Sequence, residues 1–97
     1  INASIRSADE LLGASQITPE IRDGKVIGFR LSVVADNTII KKMGIQAGDV
    51  IRSVNGQHLD SLERSTQVWE SVKKATEVHM TFERDGRLET KSFYLRP

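Results

Sequence analysis

One segment of thirteen residues specifies more local structure than any other part of the chain. Residues 44–56 read Gly-Ile-Gln-Ala-Gly-Asp-Val-Ile-Arg-Ser-Val-Asn-Gly. Gly44 suits the left-handed residue that ends a helix, and Gly48-Asp49 suits a tight turn. The β-forming run 50–54 followed by Asn55-Gly56 predicts a strand and a type I′ hairpin turn. The segment therefore predicts, in order, the end of a helix, a loop, a buried strand and a hairpin.

A first hairpin precedes this segment. Asp23-Gly24 separates two β-forming runs, 17–22 and 25–33. Apolar and polar residues alternate along 25–33, so this strand has one apolar face. Pro19 lacks the N–H that an inner strand donates, so the first run is predicted to lie at an edge of the sheet. Residues 1–16 are polar and rich in small residues, which predicts a linker ending in a short helix.

Two helices are predicted from their capping signals. Asn37 is placed to cap a short helix of about two turns that Gly44 ends. Asp60 followed by Glu63 resembles a capping box, and it opens a longer helix through Ala75.

A second hairpin completes the pattern. Residues 77–84 alternate in polarity, and Asp85-Gly86 turns the chain into a final strand through Leu95. The predicted fold class is α+β, in one domain over residues 17–97. It is a small, partly open barrel or sandwich of about five to six strands with one short and one longer helix.

Composition excludes several classes of function. The 14 basic and 13 acidic residues are interspersed and give a net charge of +1, so no nucleic-acid or membrane-surface patch is predicted. The chain has no cysteine, which excludes disulfides, thiolate zinc sites and thiol nucleophiles. His58 and His79 are predicted to be exposed and have no cluster of further ligands, so we predict no metal, no cofactor and no enzyme activity. Because the first residue is not methionine, we expect the chain to be a piece of a longer protein.

The order of the elements and the Gly-x-x-x-Gly-Asp-Val-Ile and Val-Asn-Gly motifs resemble PDZ domains of bacterial envelope proteins. The resemblance covers about residues 17–95. Within that family, the stretches 23–31, 75–78 and 82–86 look most like component C of the type II secretion system, although residues 32–36 replace its common Pro-Gly turn. The resemblance implies a periplasmic adaptor domain of a bacterial inner-membrane protein, anchored elsewhere in the parent chain. Its implied partners are exported substrates, the secretin or other secretion components.

The resemblance also implies a ligand groove. PDZ domains bind an extended peptide by strand addition between a strand and a helix, which places the accessible edge at 29–33. The segment 26–29 resembles the carboxylate-binding loop, with Gly28 letting the backbone curl around an anion; the alternative is a strand bulge. A Gly28→Val variant is then expected to bind more weakly while staying folded. The groove residues implied are Val26, Ile27, Gly28, Phe29, Arg30, Leu31, Val33, Ser65, Trp69 and Val72.

Several alternatives stay open at the level of sequence. Trp69 is either a core aromatic or the wall of an apolar pocket, and Arg30 is either a partner for an acidic ligand or an exposed edge charge. The domain could instead be the regulatory, peptide-binding PDZ domain of a periplasmic or intramembrane protease. It could also be a structural or self-associating module whose groove is closed.

Overall fold

The computed structural model describes residues 15–72 and 74–94 of the 97-residue chain. The short helix predicted within residues 1–16 and the predicted strand end at Leu95 lie outside the described residues. Six strands and two helices follow one another: β1 (Gln16–Arg22), β2 (Lys25–Val33), α1 (Ile39–Lys42), β3 (Val50–Val54), β4 (Gln57–His58), α2 (Leu62–Val72), β5 (Glu77–Arg84) and β6 (Arg87–Tyr94).

The strands form one antiparallel sheet in the order β1-β2-β3-β5-β6, with the short β4 paired to β3. β1 and β6 lie at the two edges, and no strand in the described part of the chain pairs with the outer side of either. The predicted α+β class is confirmed. The sheet is open and does not close into a barrel.

The three hairpin turns form where the sequence predicts them. The φ angles are 53° and 77° at Asp23-Gly24, 50° and 80° at Asn55-Gly56, and 52° and 78° at Asp85-Gly86. Positive φ at both central residues defines a type I′ turn, whose twist matches that of the flanking strands. Pro19 lies in the edge strand β1, as predicted.

Both helices begin one residue later than the sequence predicts. Thr38, with extended φ and ψ, caps α1 by accepting a hydrogen bond from the Lys41 N–H, whereas Asn37 adopts a φ of 62°. The Ser61 hydroxyl accepts from the Arg64 N–H at 3.0 Å at the start of α2. The predicted caps at Asn37 and Asp60 are therefore wrong. The choice of capping residue depends on backbone conformation, and neighbouring polar residues compete for it.

A single apolar core joins the sheet to both helices. Val78, Met80 and Phe82 on β5 are fully buried, as the alternation predicts. The full set of clustered core residues is Phe29, Leu31, Ile39, Ile40, Met43, Ile45, Ile51, Val54, Leu59, Val68, Val72, Val78, Met80 and Phe82. Partly buried side chains at its margin are Ile17, Val26, Val34, Trp69 and Phe93.

Asp49 of the Gly-Asp-Val-Ile motif is buried and forms an ion pair with the partly exposed Arg84. Its carboxylate accepts from the Arg84 Nε and Nη2 at 2.9 and 2.6 Å and from the Gln46 N–H at 2.8 Å. Arg84 also donates to the Gly44 carbonyl at 2.9 Å, and its guanidinium lies 5.0 Å from the centre of the Phe82 ring. The motif therefore holds the loop before β3 against β5.

Candidate functional site

β2 contains all seven strand residues of the predicted groove, and it is an inner strand. β1 pairs with it along nearly its whole length. On its other side, β3 pairs with Phe29 and Arg30, and the Leu31 N–H donates to the Asp49 carbonyl at 2.9 Å. The expectation of a free edge at 29–33 is therefore wrong, because neighbouring segments already occupy both sides of β2.

Gly28 lies where two backbones come close together. A Cβ placed on it would overlap the carbonyl oxygen of Ile51 on β3 and would also be 3.1 Å from the Val50 Cγ1 atom. Only a residue without a side chain fits this contact without a shift of the sheet. The presence of glycine at this position is thus explained by the packing of β2 against β3.

The segment 26–29 is strand rather than an anion-binding loop. Glu20 lies opposite Gly28 while Ile21 lies opposite Val26, so Ile27 has no partner on β1. The Ile27 carbonyl instead accepts from the Arg52 Nε at 2.8 Å. The bulge that the sequence left as the alternative is present, and the predicted carboxylate-binding loop does not form here.

Arg30 is engaged within the domain. Its Nε and Nη2 donate to the two carboxylate oxygens of Glu20, both at 2.9 Å, and its Nη1 donates to the Gly48 carbonyl at 3.0 Å. An acidic ligand group would have to displace Glu20 from this bidentate pair. The geometry therefore favours a structural role for Arg30 over ligand binding.

Arg30 and Glu20 belong to a larger charge network on the sheet, which also includes Arg22, Arg52 and Glu83. Arg22 donates to the Glu83 carboxylate at 3.2 and 2.7 Å, and Arg52 donates to it at 3.0 Å. Arg22 also lies 3.6 Å from Glu20. The network links β1 to β5 across the two strands between them.

The network predicts acid sensitivity. Hydrogen bonds from Arg30 and Arg22 hold the pKa values of Glu20 and Glu83, respectively, below their usual range. The network therefore stabilises the fold above the unfolded-state pKa of about 4.3 and loses this contribution as the pH falls through the lower folded-state values. We expect urea unfolding to show falling stability below about pH 5, with a shallower slope for Glu83→Gln. An unchanged slope in that variant would contradict this role.

The three helix residues of the predicted groove differ in exposure. Ser65 and Val72 are buried, and the Ser65 hydroxyl donates to the Ser61 carbonyl within the helix at 2.8 Å. Trp69 is partly buried at the margin of the core. Of the three, only Trp69 therefore offers surface to a ligand without a rearrangement.

Among residues 15–72 and 74–94, no strand pairs with the outer edge of β1, and the assignment of the groove to β2 missed this edge. Ile17 of β1 and Trp69 of α2 pack against the same core and are both partly exposed. The signal was available in the sequence, since Pro19 already predicted that this strand lies at an edge. The candidate binding site is therefore the outer edge of β1 together with Trp69.

The two histidines lie apart from this edge. The Nδ1 atom of His79 shares a hydrogen bond of 2.7 Å with the Ser92 hydroxyl, and its Nε2 atom is 3.2 Å from the Glu77 carboxylate. His58 is exposed in β4. In residues 15–72 and 74–94, no group of three or more His, Asp or Glu side chains could hold a metal ion. No helix in the same residues is long and apolar enough to span a membrane.

Residues 5–83 match the family model of the PDZ domain. The chain is also similar to the type II secretion system protein C of Vibrio cholerae, with 31% identity over 85 residues. That match covers 88% of this chain and 28% of the relative, so the chain spans less than a third of that protein's length.

Two solved structures resemble the fold. The PDZ domain of EpsC from Vibrio cholerae superposes with a TM-score of 0.69 at 26% identity, covering 90% of this chain and 80% of that one. The PDZ domain of the pullulanase C protein of the Klebsiella pneumoniae type II secretion system was solved in complex with a fatty acid. It superposes with a TM-score of 0.67 at 30% identity and covers 87% of each chain.

Proposed function

Because the chain belongs to the PDZ domain family, we propose that it is a protein-binding adaptor domain of a type II secretion system. In this role it binds exported substrates, the secretin or other secretion components. The proposal places the domain in the periplasm, on a bacterial inner-membrane protein whose anchor lies elsewhere in the parent chain. The observation that carries it is the similarity to protein C over 88% of this chain.

The protease alternative is not favoured. Four curated relatives were found, and all four are type II secretion system protein C, from Vibrio, Aeromonas and Klebsiella species. The PDZ domain of HtrA3, solved with a phage-derived ligand, has a TM-score of 0.60 at 22% identity, which supports the fold alone.

The proposed binding mode is strand addition at the outer edge of β1. An edge strand presents unpaired backbone N–H and C=O groups to an extended partner. Pro19 supplies a carbonyl but no N–H, so a partner segment gains fewer hydrogen bonds at this position. Trp69 and Ile17 each pack against the core and leave part of their apolar surface exposed for a ligand side chain. The fatty acid bound by the pullulanase C domain makes an apolar ligand segment a reasonable first probe.

The test is an amide NMR titration with short peptides that carry apolar C-terminal residues. We expect the amide chemical-shift changes to concentrate in residues 16–22 and around Trp69. Trp69→Ala should weaken binding at least about tenfold, as loss of an aromatic anchor does. Because Trp69 is only partly buried, its loss should cost about 1–3 kcal/mol of stability, which leaves the domain folded.

A matched control lies on the same helix. Leu62 is 65% exposed at the start of α2, so Leu62→Ala should change neither stability nor peptide binding. Shifts confined to β5 and β6 would place binding elsewhere and reject the β1 edge. An absence of shifts in the folded protein would reject peptide capture and leave folded partners as the ligands to test.

A further inference from the structure

The second edge of the sheet, β6, is long and regular. All eight of its residues pair with β5 without a break in register, from Arg87 opposite Arg84 to Tyr94 opposite Glu77. β1, by contrast, contains Pro19 and two register shifts. In residues 15–72 and 74–94, no strand covers the outer side of β6. β6 is therefore the edge better suited to extended strand pairing.

The hairpin determines which backbone groups face outward. In a two-residue type I′ hairpin, the residues that flank the turn, here Arg84 and Arg87, exchange both of their backbone hydrogen bonds. Hydrogen-bonded and non-hydrogen-bonded pairs then alternate along an antiparallel ladder. The residues whose N–H and C=O groups point to the outer edge are therefore Leu88, Thr90, Ser92 and Tyr94.

The side chains of β6 divide into two rows. One row lies on the side of the core-facing residues of β5 and consists of Arg87, Glu89, Lys91 and Phe93. On the opposite side, Leu88 and Tyr94 are 62% and 61% exposed. Neither the Arg87 nor the Lys91 side chain forms a hydrogen bond or ion pair with any residue that the structure describes. The edge thus carries uncompensated charge on one side and exposed apolar surface on the other.

We propose that two copies of the domain associate by antiparallel pairing of their β6 strands about a two-fold axis at Thr90. Glu89 then lies opposite Lys91 of the second copy, and the symmetry repeats this ion pair. Arg87 lies opposite Phe93 of the second copy, within the geometry of a cation–π contact. On the other side of the sheet, Tyr94 becomes the diagonal neighbour of Leu88 of the second copy.

Charge complementarity selects this register. A two-fold axis at Glu89 would place two glutamates directly opposite each other, and an axis at Lys91 would do the same with two lysines. An axis at Leu88 would use only the first residues of the strand. Register is set by such side-chain pairs, and in a two-fold contact each favourable pair is formed twice.

Lys91 also discriminates against other partners. A charge on the core side of an edge strand discourages pairing with an arbitrary strand, because the charge would be buried without a counter-charge. The second copy supplies that counter-charge through Glu89. The same residue can therefore oppose aggregation and permit one defined dimer.

The test is sedimentation or light scattering of the 97-residue chain over a wide concentration range. We expect the mass to rise from monomer to dimer. Glu89→Lys on its own places two lysines opposite each other at both symmetry-related positions. Lys91→Glu on its own does the same with two glutamates. Each should therefore raise the dimer dissociation constant about tenfold or more. An equimolar mixture of the two variants restores opposite charges in every pair and should dimerise like the native chain.

A cysteine variant reports the register directly. The chain has no native cysteine, and Thr90→Cys should form an intermolecular disulfide on mild oxidation, whereas Leu62→Cys on α2 should not. A native chain that stays monomeric at all concentrations would overturn the proposal. So would single charge variants that dimerise as well as the native chain, or a mixture that does not recover association while both variants are folded by circular dichroism.

Discussion

Replacement of Arg84 by alanine should lower the free energy of unfolding by about 2–3 kcal/mol. The substitution removes both Arg84 hydrogen bonds to the Asp49 carboxylate, whose side chain is 3% exposed, and leaves this buried charge with the Gln46 N–H as its remaining donor. Such a loss is a large share of the stability of a domain of this size. Urea unfolding at neutral pH measures it.

The partner and a control make this test specific. Asp49→Asn removes the charge but keeps an acceptor. The double variant Asp49→Asn with Arg84→Ala should therefore lose less unfolding free energy than the two single variants lose in sum. Arg64 is an exposed arginine on α2, and Arg64→Ala should change stability by less than about 0.5 kcal/mol. A loss below about 1 kcal/mol for Arg84→Ala would show that Asp49 is solvated by other means.

Gly28→Val should unfold the domain or destabilise it by about 3 kcal/mol or more. The new Cβ would overlap the Ile51 carbonyl and would lie only 3.1 Å from the Val50 Cγ1 atom and 3.2 Å from the Arg52 Cδ atom, before the two further methyl groups of valine are added. β2 and β3 would have to separate at the centre of the sheet. This differs from the sequence-based expectation of a folded variant with weaker binding. Thermal or urea unfolding of Gly28→Ala and Gly28→Val measures the effect.

Gly24 provides the contrast for this prediction. A Cβ at Gly24 meets no atom within 4 Å, but its φ of 77° is unfavourable for other residues. Gly24→Ala should therefore cost only about 1–2 kcal/mol, through backbone conformation alone. If Gly28→Ala proves no worse than Gly24→Ala, the sheet relaxes at this contact and close packing does not explain the glycine.

Local signals in the sequence predicted much of the fold. The three type I′ turns, the alternation of β5 and the helix end at Gly44 all depend on residues within a few positions of one another. The predicted family and the absence of enzyme activity are also confirmed, because the chain belongs to the PDZ family of binding modules. The capping residues were each wrong by one position, since several adjacent polar side chains can fill that role.

The groove was harder to predict because it depends on which strands are neighbours. Alternation along residues 25–33 indicates the apolar face of β2, but it contains no information about which backbone edge is paired. β1 covers one edge and β3 the other, and the contact with β3 joins distant parts of the chain. A Val-Ile-Gly-Phe pattern fits both an anion-binding loop and a bulged strand, and only the proximity of Ile51 distinguishes them.

The link between Arg22 and Glu83 also affects how the domain folds during synthesis. These two residues are 61 positions apart, and β3 cannot complete its pairing until β5 is available. The N-terminal hairpin therefore lacks these contacts until most of the domain has been synthesised. A sheet of this topology has many non-local contacts, which slows folding and leaves early strands exposed to chaperones. Completion of the domain thus depends on its last hairpin being made.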